Sequence, residues 1–302
     1  MTFTTQIKEE ITKEENNNIE DLTSLCTYLK FNATLEEDKM TVMVVNASVA
    51  RWIFKLLKTN YNVLIRLTTR TMKRFKARNL YILEVKEKLD LIYKDIDNIF
   101  KEISTSSDEE KKAFLKGMFL ACGSINDPKK NQYHLEFLVK EEEDANLIDN
   151  LLNSLKIKTK VLKRDREYMV YVKSSENISD FIKYLGAFNA LFYFEDIRIY
   201  KDHKNMVNRL NNCEQANVER TLKSSKTILD NIKYLEDNDL LMLLDDRSKE
   251  IIEYKKKYPD TSLGELADII TMETNKSITK SGINHHFRKI NALVKKAKEN
   301  HE

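Results

Sequence analysis

The chain has 302 residues, with 51 Lys and Arg against 48 Asp and Glu, a formal net charge of +3. That length allows one large domain or two to three small ones, and no apolar run approaches the roughly 18 residues that read as a membrane span. The opening MTFTTQIKEEI lacks an apolar signal core, and Cys26, Cys122 and Cys213 are scattered and odd in number, so a cytoplasmic protein with free thiols, no metal and no cofactor is expected.

Apolar residues at helical spacing predict a helix over Leu22–Phe31, an extended pair over Thr34–Val45 and a helix over Ser48–Lys58. Strands at Val63–Thr69 and Asn79–Val85 rest on β-branched and aromatic enrichment, and a helix over Leu89–Phe100 follows. The series then recurs. A helix covers Lys111–Cys122, an extended stretch His134–Val139, a helix Glu143–Leu155, strands Thr159–Lys163 and Tyr168–Lys173, and a helix Asn177–Leu185. Leu56-Leu57 matches Leu151-Leu152, and Val85-Lys86 matches Val172-Lys173, an offset of roughly 90 residues that drifts as loop insertions would make it. An α+β duplication is expected, with one half over 1–105 and the other over 106–200.

From Lys201 to about Leu235 the chain is polar and free of Gly and Pro, which predicts a linker helix or pair of helices within 201–240. The segment 241–302 reads as a helical unit. Its first helix, Asp246–Tyr258, is stopped by Pro259. Ser262 and Glu265 have the spacing of a capping box and open a second helix. A polar connection over Thr271–Ser277 leads to a last helix over Thr279–Lys298, with Ile283, Phe287, Ile290 and Val294 on one stripe.

The run FLKGMFLACGSI, Phe114 to Ile125, stands out in a chain with five glycines. A mid-helix Gly costs about 1 kcal/mol against Ala, so Gly117 implies close approach of a second backbone. Gly123 suits a left-handed helix end. A small-residue helix end followed by a strand resembles the LAGLIDADG motif of homing endonucleases, whose paired helices each end in a metal-binding acid. Here that position falls on Cys122, and in the upstream partner run LCTYLKFNA on Asn32. An amide and a thiol are poor ligands for a hard Mg²⁺ ion, so no catalytic residue is expected.

Two basic groups remain. On the last helix, the face opposite the apolar stripe carries Ser281, His285, Arg288, Lys289, Lys295 and Lys296, with Asn284 at its edge. Lys276 to Lys298 contains seven Lys or Arg and no acid. Such side chains reach phosphates and base edges, and a basic last helix in a three-helix unit is the helix-turn-helix arrangement. A solvated lysine face is the plainer alternative. The second group, Arg66, Arg70, Lys73, Arg74, Lys76 and Arg78, spans two strands and their turn, and reads equally as a DNA contact or a solvated hairpin. Glu141 to Asp144 suit a helix N-terminus. His285 and His286 diverge by about 100° and cannot share a metal. No Gly-rich phosphate loop or nucleophile motif occurs.

Longer runs resemble the WhiA regulators: FLKGMFLACGSINDPKKNQYHLE, LGAFNALFYFEDIRIYKDHKNMVNRLNNCEQANVERT and YPDTSLGELADIITMETNKSITKSGINHHFRKIN, with the core Ile278 to His285. The resemblance implies a duplicated LAGLIDADG-like body without nuclease chemistry, joined to a sigma-factor-like helix-turn-helix. It implies a sequence-specific regulator tied to cell division and chromosome segregation, or to sporulation in relatives that sporulate. Ala33, Ala121-Cys122 and the run at 16–20 depart from the family's pattern in the first half. Lys280, Ser281, Asn284, His285 and Arg288 are expected nearest the bases, and Lys289, Lys295 and Lys296 on phosphates. Asn205, Asn208, Arg209, Asn212 and Cys213 match the family's linker signature. They either brace helices or touch DNA, and bracing is the preferred reading. Expected partners are promoter or chromosomal duplex DNA and RNA polymerase or another regulator, with no membrane. The competing readings are a metal-dependent endonuclease and a protein-interaction adaptor with secondary DNA contact.

Overall fold

Residues 2–14, 17–72, 78–130 and 132–299 are described in a computed structural model, in which the chain divides into two units, 1–202 and 203–302. The first unit opens with helix α1 (Phe3–Ile11) and then repeats one pattern. The first copy is α2 (Asn18–Asn32), β1 (Ala33–Leu35), β2 (Met40–Val44), α3 (Ala47–Tyr61), β3 (Ile65–Met72), β4 (Arg78–Val85) and α4 (Leu89–Glu102). The second is α5 (Asp108–Cys122), β5 (Gly123–Ile125), β6 (Leu135–Val139), α6 (Glu142–Ser154), β7 (Lys160–Arg164), β8 (Glu167–Val172) and α7 (Ser175–Tyr184). The antiparallel sheets have matching orders, β1-β2-β4-β3 and β5-β6-β8-β7. Their registers match too, Met40 facing Val85 in one and Leu135 facing Val172 in the other.

The repeats meet where α2 packs along α5. On these two helices Leu25, Leu29, Phe114, Leu115 and Phe119 are fully buried, each worth about 1.5–3 kcal/mol against exposure, and Phe119 packs on Phe137 and Phe181 of its own half. Gly117 sets the spacing: a Cβ on it would lie 2.2 Å from the Ser24 carbonyl oxygen and 2.9 Å from Thr27 Cβ. The close approach inferred from sequence is therefore real. The left-handed end expected at Gly123 is not. Gly123 is extended, φ −86° and ψ 145°, because the chain passes straight into β5. What requires glycine there is its own helix, since a Cβ would meet Phe119 Cδ2 at 2.4 Å and Phe119 Cα at 2.9 Å.

Helix α1 was not assigned from sequence, although Phe3, Ile7 and Ile11 recur at helical spacing and are all buried. It pins the second repeat. Thr4 Oγ1 donates to the Ile125 carbonyl at 2.8 Å and accepts from Ile125 N at 2.9 Å. Lys8 Nζ donates to the Leu120 carbonyl at 3.0 Å. The Glu10 carboxylate accepts from Asn189 N at 2.7 Å and Ala190 N at 3.1 Å, so it caps the next helix, α8 (Phe188–Asp237).

Of the two forms expected for the linker that helix is the first, and it begins well before Lys201. It is one helix rather than a pair. It starts at Phe188 because FNALFYF offers a face that the first core buries, with Ala190 and Phe194 inside. Its far end, through Ile228, Ile232 and Leu235, belongs to the core of the second unit. A 3₁₀ turn (Leu240–Leu243), α9 (Asp246–Lys257), α10 (Leu263–Thr274) and α11 (Lys280–Glu299) complete that unit. Its core is Ile251, Ile252, Leu266, Ala267, Ile270, Ile283, Phe287, Ile290 and Val294.

The capping box forms as expected: Ser262 Oγ accepts from Glu265 N at 3.2 Å, and Glu265 Oε2 accepts from Ser262 N at 2.7 Å. Ser262→Ala should cost about 1 kcal/mol of stability in chemical denaturation. The polar connection expected from Thr271 starts later. Helix α10 continues to Thr274, whose hydroxyl donates to the Ile270 carbonyl at 2.7 Å, and Glu273 is held by Lys257 and Tyr258. Asn275, left-handed at φ 54°, ends it.

Candidate nucleic-acid interface

Helices α10 and α11 join through a short turn that is braced from both sides. Thr271 Oγ1 accepts from Ile278 N at 3.2 Å, and Thr279 Oγ1 accepts from Gly282 N at 3.2 Å, capping α11. Ile283, Phe287, Ile290 and Val294 then fix the roll of α11 by facing the core. At 100° per residue, Ser281, His285 and Lys296 lie nearest the middle of the opposite face, with Arg288 and Lys289 about 50° to either side of it. Lys295, Asn284 and Lys280 follow in turn on the Arg288 side. All are exposed except Asn284, which is half-buried.

Their electrostatic states differ. Lys289 Nζ lies 3.6 Å from Asp245 Oδ2, and Lys295 Nζ 3.8 Å from Glu299 Oε1. Among the described residues Lys280, Arg288 and Lys296 have no ion-pair partner. These are the charges most available to an incoming anion.

His286 is separate from its neighbour's role. It is half-buried and shares a 2.8 Å hydrogen bond between Nδ1 and Ser248 Oγ, tying α11 to α9. Burial holds its pKa below the usual 6.5, against a smaller opposing pull from Asp245. The unfolded chain therefore binds that proton more readily, so stability is complete above the ordinary histidine range and falls as pH drops through it. Melting of the full chain should start earlier at mildly acid than at neutral pH, and His286→Asn should flatten that dependence.

The two positions that the sequence aligns with the LAGLIDADG acids lie at helix ends of the first unit. Asn32 is the last residue of α2 and Cys122 the last of α5. Burial pushes the Cys122 thiol up to about 12, and its Sγ donates to the Met118 carbonyl at 3.3 Å. The neighbouring cation is Lys8, whose ammonium bonds the α5 end. Among the described residues no three acids, histidines or cysteines converge as a metal site.

Of the second basic group, Arg66 and Arg70 stand on the open face of β3. Arg66 Nε is 3.8 Å from Glu84 Oε2. They line a shallow hollow of about 430 Å³ together with Thr34, Glu36, Lys39 and Thr68, so its charge is mixed. Lys73, Arg74, Lys76 and the Arg78 side chain lie outside the described residues.

The linker signature departs from the preferred reading. Asn205, Asn208, Arg209 and Asn212 are all exposed on α8. Among the described residues none makes a side-chain bond, so they brace no helix; only Cys213 is engaged, by Asn217. At 100° per residue they fall on one side of α8. The whole stretch 202–215 of α8 is exposed, apolar Met206, Val207 and Leu210 included.

A duplicated LAGLIDADG-like body with an amide and a thiol at its helix ends, followed by a helix-turn-helix, is the class these features define. Sequence profiles agree along the chain. The WhiA N-terminal LAGLIDADG-like domain matches residues 19–99, the WhiA LAGLIDADG-like domain 111–204 and the WhiA C-terminal HTH domain 207–294. The probable cell division protein WhiA of Oceanobacillus iheyensis is 36% identical over 311 residues, covering 99% of this chain and 98% of its own. That of Bacillus cereus (strain G9842) is 37% identical over 311 residues, covering 98% and 97%. The crystal structure of full-length DUF199/WhiA from Thermatoga maritima has the same fold, with TM-score 0.59 at 22% identity over 98% of this chain and 99% of that one. The chain belongs to the WhiA family.

Proposed function

We propose that this chain is a sequence-specific DNA-binding regulator without nuclease chemistry, acting in cell division as the names of its relatives suggest. The observation that carries it is the exposed face of α11. Its free Arg288 is aimed outward by a buried stripe and a braced turn. In this reading Ser281, Asn284, His285 and Arg288 meet base edges in a major groove, and Lys289, Lys295 and Lys296 hold phosphates. The helix-turn-helix, with the end of α8, is the DNA-binding domain, and the two LAGLIDADG-like halves form a separate body. Its work is at chromosomal sites in the cytoplasm, including those that guide chromosome segregation, with RNA polymerase or another regulator as protein partner. The mixed charge around Arg66 and Arg70 favours the body as a protein-contact surface over a second DNA saddle.

Selection of bound fragments from a random-sequence DNA pool tests this. The full chain should enrich one sequence, and Arg288→Ala should not. Equal recovery of all sequences by the unaltered chain would refute sequence reading. Mg²⁺-dependent nicking of plasmid DNA by the purified chain would revive the endonuclease.

A further inference from the structure

The second unit contains a cleft outside the exposed face of α11. It encloses about 180 Å³ and is lined by Arg220, Thr221 and Ser224 of α8, Ser262 and Leu263 at the start of α10, and Lys280 at the start of α11. Arg220 and Lys280 are exposed and, among the described residues, bonded to no acid. Of the two carboxylates beside the rim, Glu265 is turned onto Ser262 N, and Asp260 precedes the lining residue Thr261.

Beneath the cleft lies Lys255, whose side chain is fully buried. Its ammonium donates to Ser225 Oγ at 2.8 Å and to the Thr261 carbonyl at 2.7 Å. Both acceptors are neutral, both residues line the cleft, and no carboxylate is within ion-pair range among the described residues. Asp260 and Glu265 act on this ammonium only from a distance, and burial outweighs them, so its charge is incompletely offset, which is costly. An anion seated in the cleft would offset that cost, and hydroxyls with two mobile cations are what a phosphate oxygen needs.

We propose that this cleft grips one phosphodiester of the DNA backbone, so that α8 is part of the DNA-binding surface and Lys280 serves a phosphate rather than a base. The inference rests on the DNA-binding reading above. It adds an anchor that is indifferent to sequence and adjoins the first turn of α11. Arg220 and Lys280 then close on one group from opposite walls, and Lys255 supplies charge from below without contact.

The test is the salt dependence of duplex binding by the full chain, read by fluorescence anisotropy on a selected and a random-sequence duplex. Each lost phosphate contact lowers the slope of log K against log salt by about 0.9. Arg220→Gln should therefore weaken both duplexes by the same factor. Its disadvantage should shrink about 3.5-fold between roughly 50 and 200 mM salt. Because the phosphate is held only while both cations close on it, Arg220→Gln alone releases it, and adding Lys280→Gln should lower the slope little further. Lys226→Gln removes an equal charge from a different side of α8 and should leave the slope unchanged.

An unchanged slope in Arg220→Gln overturns the cleft, as does a full second decrement in the double variant or an equal loss in Lys226→Gln. Thermal protection by inorganic phosphate that Arg220→Gln removes, with DNA affinity untouched, would assign the cleft to a free anion instead and overturn it too. If the unaltered chain binds no duplex at any salt concentration, the DNA-binding reading falls first and the cleft with it.

Discussion

Gly117→Ala should destabilise the first unit by about 2 kcal/mol. The added Cβ would sit 2.2 Å from the Ser24 carbonyl oxygen, an atom of the α2 backbone that cannot rotate away. Overpacking of this kind costs up to about 3 kcal/mol, and the gain in helix propensity returns about 1 kcal/mol. Sterics win because the partner is backbone. For a unit of this size the calorimetric midpoint should fall by about 4–8 °C. Gly117→Val lacks the full propensity gain and should fall further. Gly264→Ala is the control: its nearest neighbour to a new Cβ is Ser262 Oγ at 3.8 Å, so the same change should be neutral or mildly stabilising. An unaltered midpoint in Gly117→Ala would mean that α2 and α5 part without cost, and that the seam does not hold the repeats together.

The seam explains how the chain can keep a nuclease-like body without the nuclease's acids. In the LAGLIDADG arrangement the paired helices supply both the packing between halves and the positions of the carboxylates. Here the packing between halves is carried by Gly117 against Ser24 and Thr27, while the ends carry Asn32 and Cys122. Cys122 is held neutral by burial, and the nearby positive charge is the ammonium of Lys8, a covalent part of the chain.

Much of this was readable from periodicity. The repeat, the seam glycine and the apolar stripe of α11 each follow from the spacing of side chains that must be buried, and burial is what spacing encodes. The misreadings share another cause. Thr271 to Thr274 look like a loop by polarity, yet Thr274 bonds one turn back in its own helix, and Thr271 and Glu273 find partners outside it. Gly123 looks like a helix cap, yet the clash it avoids is with Phe119, one turn back in its own helix. Asn205, Asn208 and Asn212 look like braces, yet α8 is exposed all round over 202–215. The outcomes at Glu273 and along α8 depend on which elements lie alongside, and that at Gly123 on the strand that follows, and local composition specifies neither. The cleft above Lys255 is the extreme case, since its walls come from three helices separated by up to sixty residues of sequence.

Arg288→Ala should lower affinity for the preferred duplex by about 1–3 kcal/mol, a factor of roughly 5 to 150, if its guanidinium reads a base edge in bidentate fashion. Random-sequence DNA should lose only the few-fold expected from one removed charge. Electrophoretic retardation on both duplexes separates the two effects. Lys289→Ala should do less to either, because Asp245 already holds that ammonium at 3.6 Å and part of what DNA would gain from it must first replace the internal pair. The order of the two substitutions therefore reports how α11 is rolled in the groove. A larger loss from Arg288 turns the helix toward the flank that also carries Lys280, because the buried stripe of Ile283, Phe287 and Ile290 leaves Arg288 and Lys289 about equally far from the middle of the exposed face. A larger loss from Lys289 would turn the helix toward the Asp245 flank. That turn would carry Lys280 away from the backbone, and the phosphate cleft could not be filled in the same complex.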